Sequence, residues 1–325
     1  MKCRIQHLIR GRRTLNGRTV CIMLLIVSIM TAGCINSANR QARVAEDRGK
    51  PLVYASIYPM YDFAKKIGGD RIDLRMAVPA GAEPHGWEPT ARMLVEIGRA
   101  DVFIYNGVGM EPWVDRMLAS LPGGRPVVVE ASEGIKLLEM KGRDRHGHSP
   151  AGYDPHVWLD PVRAKMQAES ILKALVQVDR DNAEYYRANF RDFSAKLEEL
   201  DRLYREALAG SGGREIVVSH AAFGYLADRY GLIQIPVSGL NPQEEPGAAE
   251  LVQLAKLLQD KNIDHVFFET LTSPKLAETL AREVGAKPEV LNPIGGLTRQ
   301  QMEEGMDYIS IMKQNLETLK RVLDE

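Results

Sequence analysis

The sequence predicts an α/β fold, two lobes with mainly parallel sheets joined by one long helix, and three observations carry that prediction. Apolar, strand-like runs alternate with helix-period segments over residues 51–179, and the same alternation resumes over 210–325. Strands separated by helical stretches build parallel sheets through βαβ crossovers. Between the two lies an uninterrupted helical pattern, 180–209, in which Tyr186, Phe190, Phe193, Leu197, Leu200, Leu203 and Ala207 recur at three- and four-residue spacing. Its roughly thirty residues would span about 45 Å, enough to run the height of a two-lobed protein, so it reads as the connector.

In the first lobe, residues 51–56 form a short β-rich run and 60–67 a helix stopped by Gly68-Gly69. Residues 71–78 alternate like a strand and end at Pro79-Ala80-Gly81-Ala82. Thr90 can cap a helix with Ala91, Leu94, Val95 and Ile97 on its apolar side. Strand 101–105, a helix around 113–120 and strand 126–130 follow, and then a Gly- and Pro-containing stretch, 140–153, that carries His146 and His148. That stretch reads either as a solvated loop or as an accessory, low-affinity metal-collecting segment. Asp160-Pro161 is an N-cap followed by a first helical residue for a helix over 162–178. In the second lobe, Gly210 to Gly213 end the connector and 215–219 is a buried-type strand. Strands over 233–237, 264–268 and 288–291 follow, with helices over 248–259, 274–284 and a closing amphipathic helix over 302–323.

The N-terminus has the pattern of an export signal. Six basic residues and no acid precede the apolar run Val20 to Met30, and Thr31-Ala32-Gly33-Cys34 follows. The run is too short to span a bilayer. Small residues leading into Cys34 resemble a bacterial lipobox, which makes Cys34 the lipidated first residue of the mature chain. The expected organisation is therefore signal peptide 1–33, polar tether 34–50, first lobe 51–179, connector 180–209 and second lobe 210–325. Cleavage before Cys34 removes the other two cysteines, Cys3 and Cys21, and excludes a disulfide or a thiolate metal site. It also leaves 36 Lys+Arg against 43 Asp+Glu, a formal net charge of -7 with no basic stripe suited to nucleic acid.

Three histidines stand in loops beside strand or helix ends. His85 lies in Glu83-Pro84-His85-Gly86-Trp87-Glu88-Pro89, His156 in Asp154-Pro155-His156-Val157-Trp158-Leu159-Asp160-Pro161, and His220 in Ser219-His220-Ala221-Ala222-Phe223. Neutral imidazole is the commonest metal-binding side chain, and three convergent imidazoles suit zinc better than magnesium or calcium. In α/β folds ligands gather beyond the carboxyl ends of strands, where His85 and His220 would sit.

Taken in order, these motifs, with Asp101 to Met110 and Glu111-Pro112-Trp113, resemble the zinc/manganese-binding lipoproteins that serve metal-uptake ABC transporters, the zinc-type solute-binding proteins in particular. The resemblance covers nearly all of residues 50–325. It implies two α/β lobes joined by one rigid long helix, with the metal at the lobe interface, His85 and His156 coming from the first lobe and His220 from the second. Manganese-type relatives tend to carry a carboxylate where His220 stands, so the transported ion is expected to be Zn2+ rather than Mn2+. The family's fourth ligand is usually an Asp or Glu in the loop matching Leu291 to Gly295. Here Asn292 and Gly295 stand there, and Asn292, Glu269 or a water would complete the site. The implied partners are an ABC permease with its ATPase, and the membrane through the lipid anchor of a monomer on the cell surface or in the periplasm. The competing readings are a manganese-specific carrier, a surface adhesin of the same fold and, least favoured, a zinc hydrolase; no enzymatic activity is expected.

Overall fold

The computed structural model describes residues 49–121, 126–139, 152–242 and 247–324. The signal segment with Cys34, nearly all of the tether, and the stretch bearing His146 and His148 lie outside the described residues.

Two four-stranded sheets, each wholly parallel, form the frame. The first holds β1 (Leu52–Ala55), β2 (Asp73–Met76), β3 (Val102–Tyr105) and β4 (Val127–Glu130) in the order β2-β1-β3-β4. Helices α1 (Tyr58–Gly68), α2 (Ala91–Ile97) and α3 (Val114–Ser120) link these strands. Thr90 caps α2 by accepting the Met93 amide at 3.3 Å. After this sheet come α4 (Pro161–Val178) and α5 (Ala183–Ala207). The second sheet holds β5 (Glu215–His220), β6 (Ile233–Ser238), β7 (His265–Phe268) and β8 (Lys287–Val290) in the order β6-β5-β7-β8. Its helices are α6 (Gly224–Tyr230), α7 (Ala248–Asp260) and α8 (Lys275–Val284); α9 (Arg299–Glu303) and α10 (Tyr308–Asp324) close the chain.

The connecting helix α5 has 25 residues, about 38 Å, and is shorter than the sequence pattern suggests. Asp179 is the reason. Its carboxylate accepts from Asn182 Nδ2 at 2.8 Å and from the Tyr186 hydroxyl at 2.6 Å, which turns Arg180–Asn182 into a 3-10 segment before α5 begins. The buried face of α5, with Tyr186, Phe193, Leu197, Leu200 and Tyr204, packs on α1, α4 and α10. Phe193 meets Phe63 at 5.4 Å, and the Tyr204 hydroxyl donates to the Met312 carbonyl at 2.7 Å. The closing helix also differs from expectation. Gly305 takes a φ of 72°, which favours glycine, and the Asp307 carboxylate accepts the Ser310 amide at 2.8 Å, so α9 ends and α10 starts afresh.

One apolar cluster crosses from the first sheet to the second. It joins Val53, Ile57, Phe63 and Trp158 with Ile216, Val218, Phe267, Leu291 and Tyr308. Lobes sharing so continuous a core behave as one packed body, since a large hydrophobic interface opposes free domain motion. No helix among the described residues is long and apolar enough to cross a membrane.

Candidate metal centre

Each of the three histidines is presented by a different local device. His85 sits in the loop between β2 and α2. The two oxygens of Glu83 accept the His85 amide at 3.2 Å and the Gly86 amide at 3.4 Å, while the Gly81 amide donates to the Leu297 carbonyl at 2.8 Å and ties the loop to the second lobe. His156 lies just before the 3-10 turn Val157–Leu159 and is 1 % exposed. Asp154 Oδ1 accepts both its amide, at 2.9 Å, and its Nδ1 proton, at 2.8 Å. The turn is anchored by Trp158, whose indole donates to the Pro293 carbonyl at 2.7 Å and whose own carbonyl accepts the Tyr308 hydroxyl at 2.6 Å. His220 ends β5, 2 % exposed, with its Nδ1 hydrogen-bonded to Glu269 just beyond β7.

The Nε2 atoms of His85 and His156 are 3.1 Å apart, and those of His220 and His156 3.3 Å apart. With Nδ1 protonated and donating to a carboxylate, the Nε2 atoms of His156 and His220 each carry a bare lone pair. Lone pairs at that distance repel unless a cation lies between them. A tetrahedral zinc with Zn–N of about 2.0–2.1 Å sets its ligand nitrogens about 3.3–3.4 Å apart, so the spacing fits that ion. Among the described residues, one group of His, Cys, Asp or Glu could hold a metal ion in this way: His85, His156 and His220.

Burial shapes the charge states. It pushes His85 down to about 2, helped by the neighbouring His156 and His220, and holds His156 well below the ordinary imidazole range. Both rings are therefore neutral and ready to ligate without first losing a proton. Burial raises the Asp154 carboxyl to about 7, against the opposing pull of the His156 amide, and raises Glu83 as well.

The three rings line a cavity of about 20 Å³ together with Glu83, Met110 and Glu269, room for one water-sized ligand beside an ion. Asn292 also lines it, but its Oδ1 accepts the Ile294 amide at 2.8 Å and its Nδ2 donates to Thr270 Oγ1 at 3.3 Å, so the amide is engaged within its surroundings. Glu269 stands behind His220, its Oε1 bonded to that ring and to the Ser219 hydroxyl. Gly295 offers no side chain, and a Cβ there would come within 3.1 Å of Pro84.

Several supporting residues carry no motif of their own. Asn106 Nδ2 donates to the Pro155 carbonyl at 2.9 Å and so steadies the residue before His156. The buried Glu111 accepts the Ser56 hydroxyl at 2.5 Å and the amides of Asn106 and Gly107 at 2.8 and 3.1 Å. Asp154, two residues before His156, was the detectable signal, because a carboxylate close to a ligating histidine is a common orienting pair.

Residues 53–322 match the family model described as zinc-uptake complex component A, periplasmic. The high-affinity zinc uptake system protein ZnuA of Bacillus subtilis is 42 % identical over 299 residues, covering 90 % of this chain and 93 % of that protein. The crystal structure of the Zn(II)-bound ZnuA-like domain of Streptococcus pneumoniae AdcA superposes with a TM-score of 0.74 at 37 % identity, over 85 % of this chain and 100 % of that domain. This chain spans 61 % of the length of the whole AdcA lipoprotein of that organism. The laminin-binding protein Lmb of Streptococcus agalactiae, described as a bifunctional protein with adhesin and metal transporting activity, superposes with a TM-score of 0.75 at 32 % identity, over 84 % of this chain and 99 % of Lmb.

Proposed function

The chain belongs to the periplasmic zinc-uptake complex component A family, and on that premise we propose that it is the extracytoplasmic zinc-binding component of an ABC importer, capturing Zn2+ between its lobes and delivering it to a membrane permease driven by an ATPase. The observation that carries the reading is the convergence of one ring nitrogen each from His85, His156 and His220 within 4.8 Å of one another. All three act as zinc ligands. The fourth position is taken by a water in the small cavity; Asn292 Oδ1 is turned to the Ile294 amide, and Glu269 Oε1 is bonded to His220 and the Ser219 hydroxyl. Zinc is cargo rather than a catalytic centre. The domain limits follow the sequence reading, and Cys34 carries the lipid that holds the monomer at the outer face of the membrane, at the cell surface or in the periplasm.

His156→Ala tests the reading. Competition titration should show a loss of zinc affinity of at least a hundredfold, and unchanged affinity would remove the three-histidine assignment. An adhesive role beside transport is the second reading, favoured by the likeness to Lmb. Binding of the purified chain to immobilised laminin, absent for a chelated control, would support it.

A further inference from the structure

The segments that present His156 and His220 are fastened to each other across the lobe boundary without any ion. Asp160, completely buried, caps α4 by accepting the Val162 amide at 2.9 Å. From the other lobe, the Arg229 guanidinium clamps the same carboxylate with two bonds, Nε to Oδ1 at 2.9 Å and Nη2 to Oδ2 at 2.6 Å. Arg163 bonds to Asp160 as well, and its guanidinium lies 4.9 Å from the centre of the Tyr225 ring. The Tyr225 hydroxyl donates to the Asp154 carbonyl at 2.9 Å. Next to it, Gly224 approaches Asp154 so closely that a Cβ would lie 2.4 Å from Asp154 Oδ2. Residues 224–229 follow His220 after three intervening residues, and residues 154–160 bracket His156. A bidentate Arg–carboxylate pair on a fully buried carboxylate is geometrically specific, unlike an exposed surface ion pair.

We propose that Arg229 is a positioning residue of the metal centre: by clamping Asp160 across the lobe boundary it holds the His156 segment against the His220 segment and keeps those two ring nitrogens at metal-ready spacing. The proposal rests on the zinc-binding reading above. His85, held instead by Glu83 and by the Gly81–Leu297 bond, takes no part in this clamp.

The test uses the full chain purified in mild detergent, stripped of metal and titrated with Zn2+ against a chromophoric chelator. Arg229→Gln should lose about tenfold to a hundredfold in affinity, the range for removing a partner that orients a ligand. Arg229→Lys should recover only part, since an ammonium cannot make the two-bond clamp. The same factor should appear in a His85→Ala background, because the clamp acts on the other two ligands. Tyr225→Phe, which removes the neighbouring bond from the His220 segment to the Asp154 carbonyl, should lose affinity in the same direction if Arg229→Gln does not fold, and unchanged affinity there would count against the proposal. Affinity within twofold of wild type for a folded Arg229→Gln, with only its melting temperature lowered, would reduce the clamp to a structural role and overturn the proposal. A wild-type chain that takes up no zinc would instead overturn the function it rests on.

Discussion

Replacing Asp154 with Asn isolates what a buried carboxylate contributes to an imidazole ligand. Asp154 Oδ1 accepts two protons from His156, from the backbone at 2.9 Å and from Nδ1 at 2.8 Å, and the residue is 6 % exposed. Asn keeps an acceptor oxygen of similar size, so the geometry survives and the charge is lost. Hydrogen bonds to charged groups are worth about 1.5–3 kcal/mol and neutral ones about 0.5–1.5. The Nδ1 bond strengthens when His156 shares its other lone pair with a dication, so the substitution should cost about 1.5–2.5 kcal/mol of binding, or roughly 10- to 70-fold in affinity. The protein without metal should react differently. Burial already raises the Asp154 carboxyl to about 7, so the folded apo state gains from holding the side chain uncharged, and Asn mimics that form. Chelator competition should therefore show weakened zinc binding while the apo melting temperature stays level or rises. Affinity within twofold of wild type, or a fall in apo stability matching the loss of affinity, would refute the reasoning.

The pH dependence has a defined sign. The folded pKa of His85, about 2, lies below its unfolded value near 6.5, so its contribution to stability is intact above pH 6.5 and lost as pH falls, by about 1.4 kcal/mol at pH 5.5. Thermal melts of the apo protein should fall across that interval, and less steeply in His85→Ala. The raised carboxyl of Asp154 acts on metal affinity instead: zinc expels its proton, so affinity should drop as pH falls through about 7 and flatten in Asp154→Asn. Gly224→Ala places a methyl 2.4 Å from Asp154 Oδ2 and should lower both melting temperature and zinc affinity, read by calorimetry and titration. Tyr204→Phe leaves the Met312 carbonyl without its buried donor and should cost about 1–2 kcal/mol in denaturant unfolding with zinc affinity unchanged.

Periodicity made the frame legible, because strand and helix periods depend on neighbours in sequence. The apolar stripe of α5 was readable for that reason, and Tyr186, Phe193, Leu197 and Leu200 are indeed its buried face. The 3-10 turn Arg180–Asn182 after Asp179 and the break at Gly305 were not, since each depends on a particular side-chain cap or backbone angle rather than on a period. The three histidines stood out through the company of Pro, Trp and carboxylates around them, and the fold brings all three together. Their supports were hidden. Glu269 lies 49 residues beyond His220 and Arg229 lies 69 beyond Asp160, so their roles exist only once β7 is set beside β5 and α6 against the start of α4. Asn292 was read as a candidate fourth ligand, and its hydrogen bond to the Ile294 amide was not readable, because that bond depends on the local turn of the loop.

The central claim is that three convergent imidazoles, their ring nitrogens 3.1 and 3.3 Å apart, capture zinc. The most direct measurement is metal content after the stripped chain is offered zinc and manganese together, with His156→Ala in parallel. The account predicts one zinc per wild-type chain, manganese excluded, and a clearly lower zinc content in the variant. Preferential manganese uptake, or equal zinc in both proteins, would contradict it.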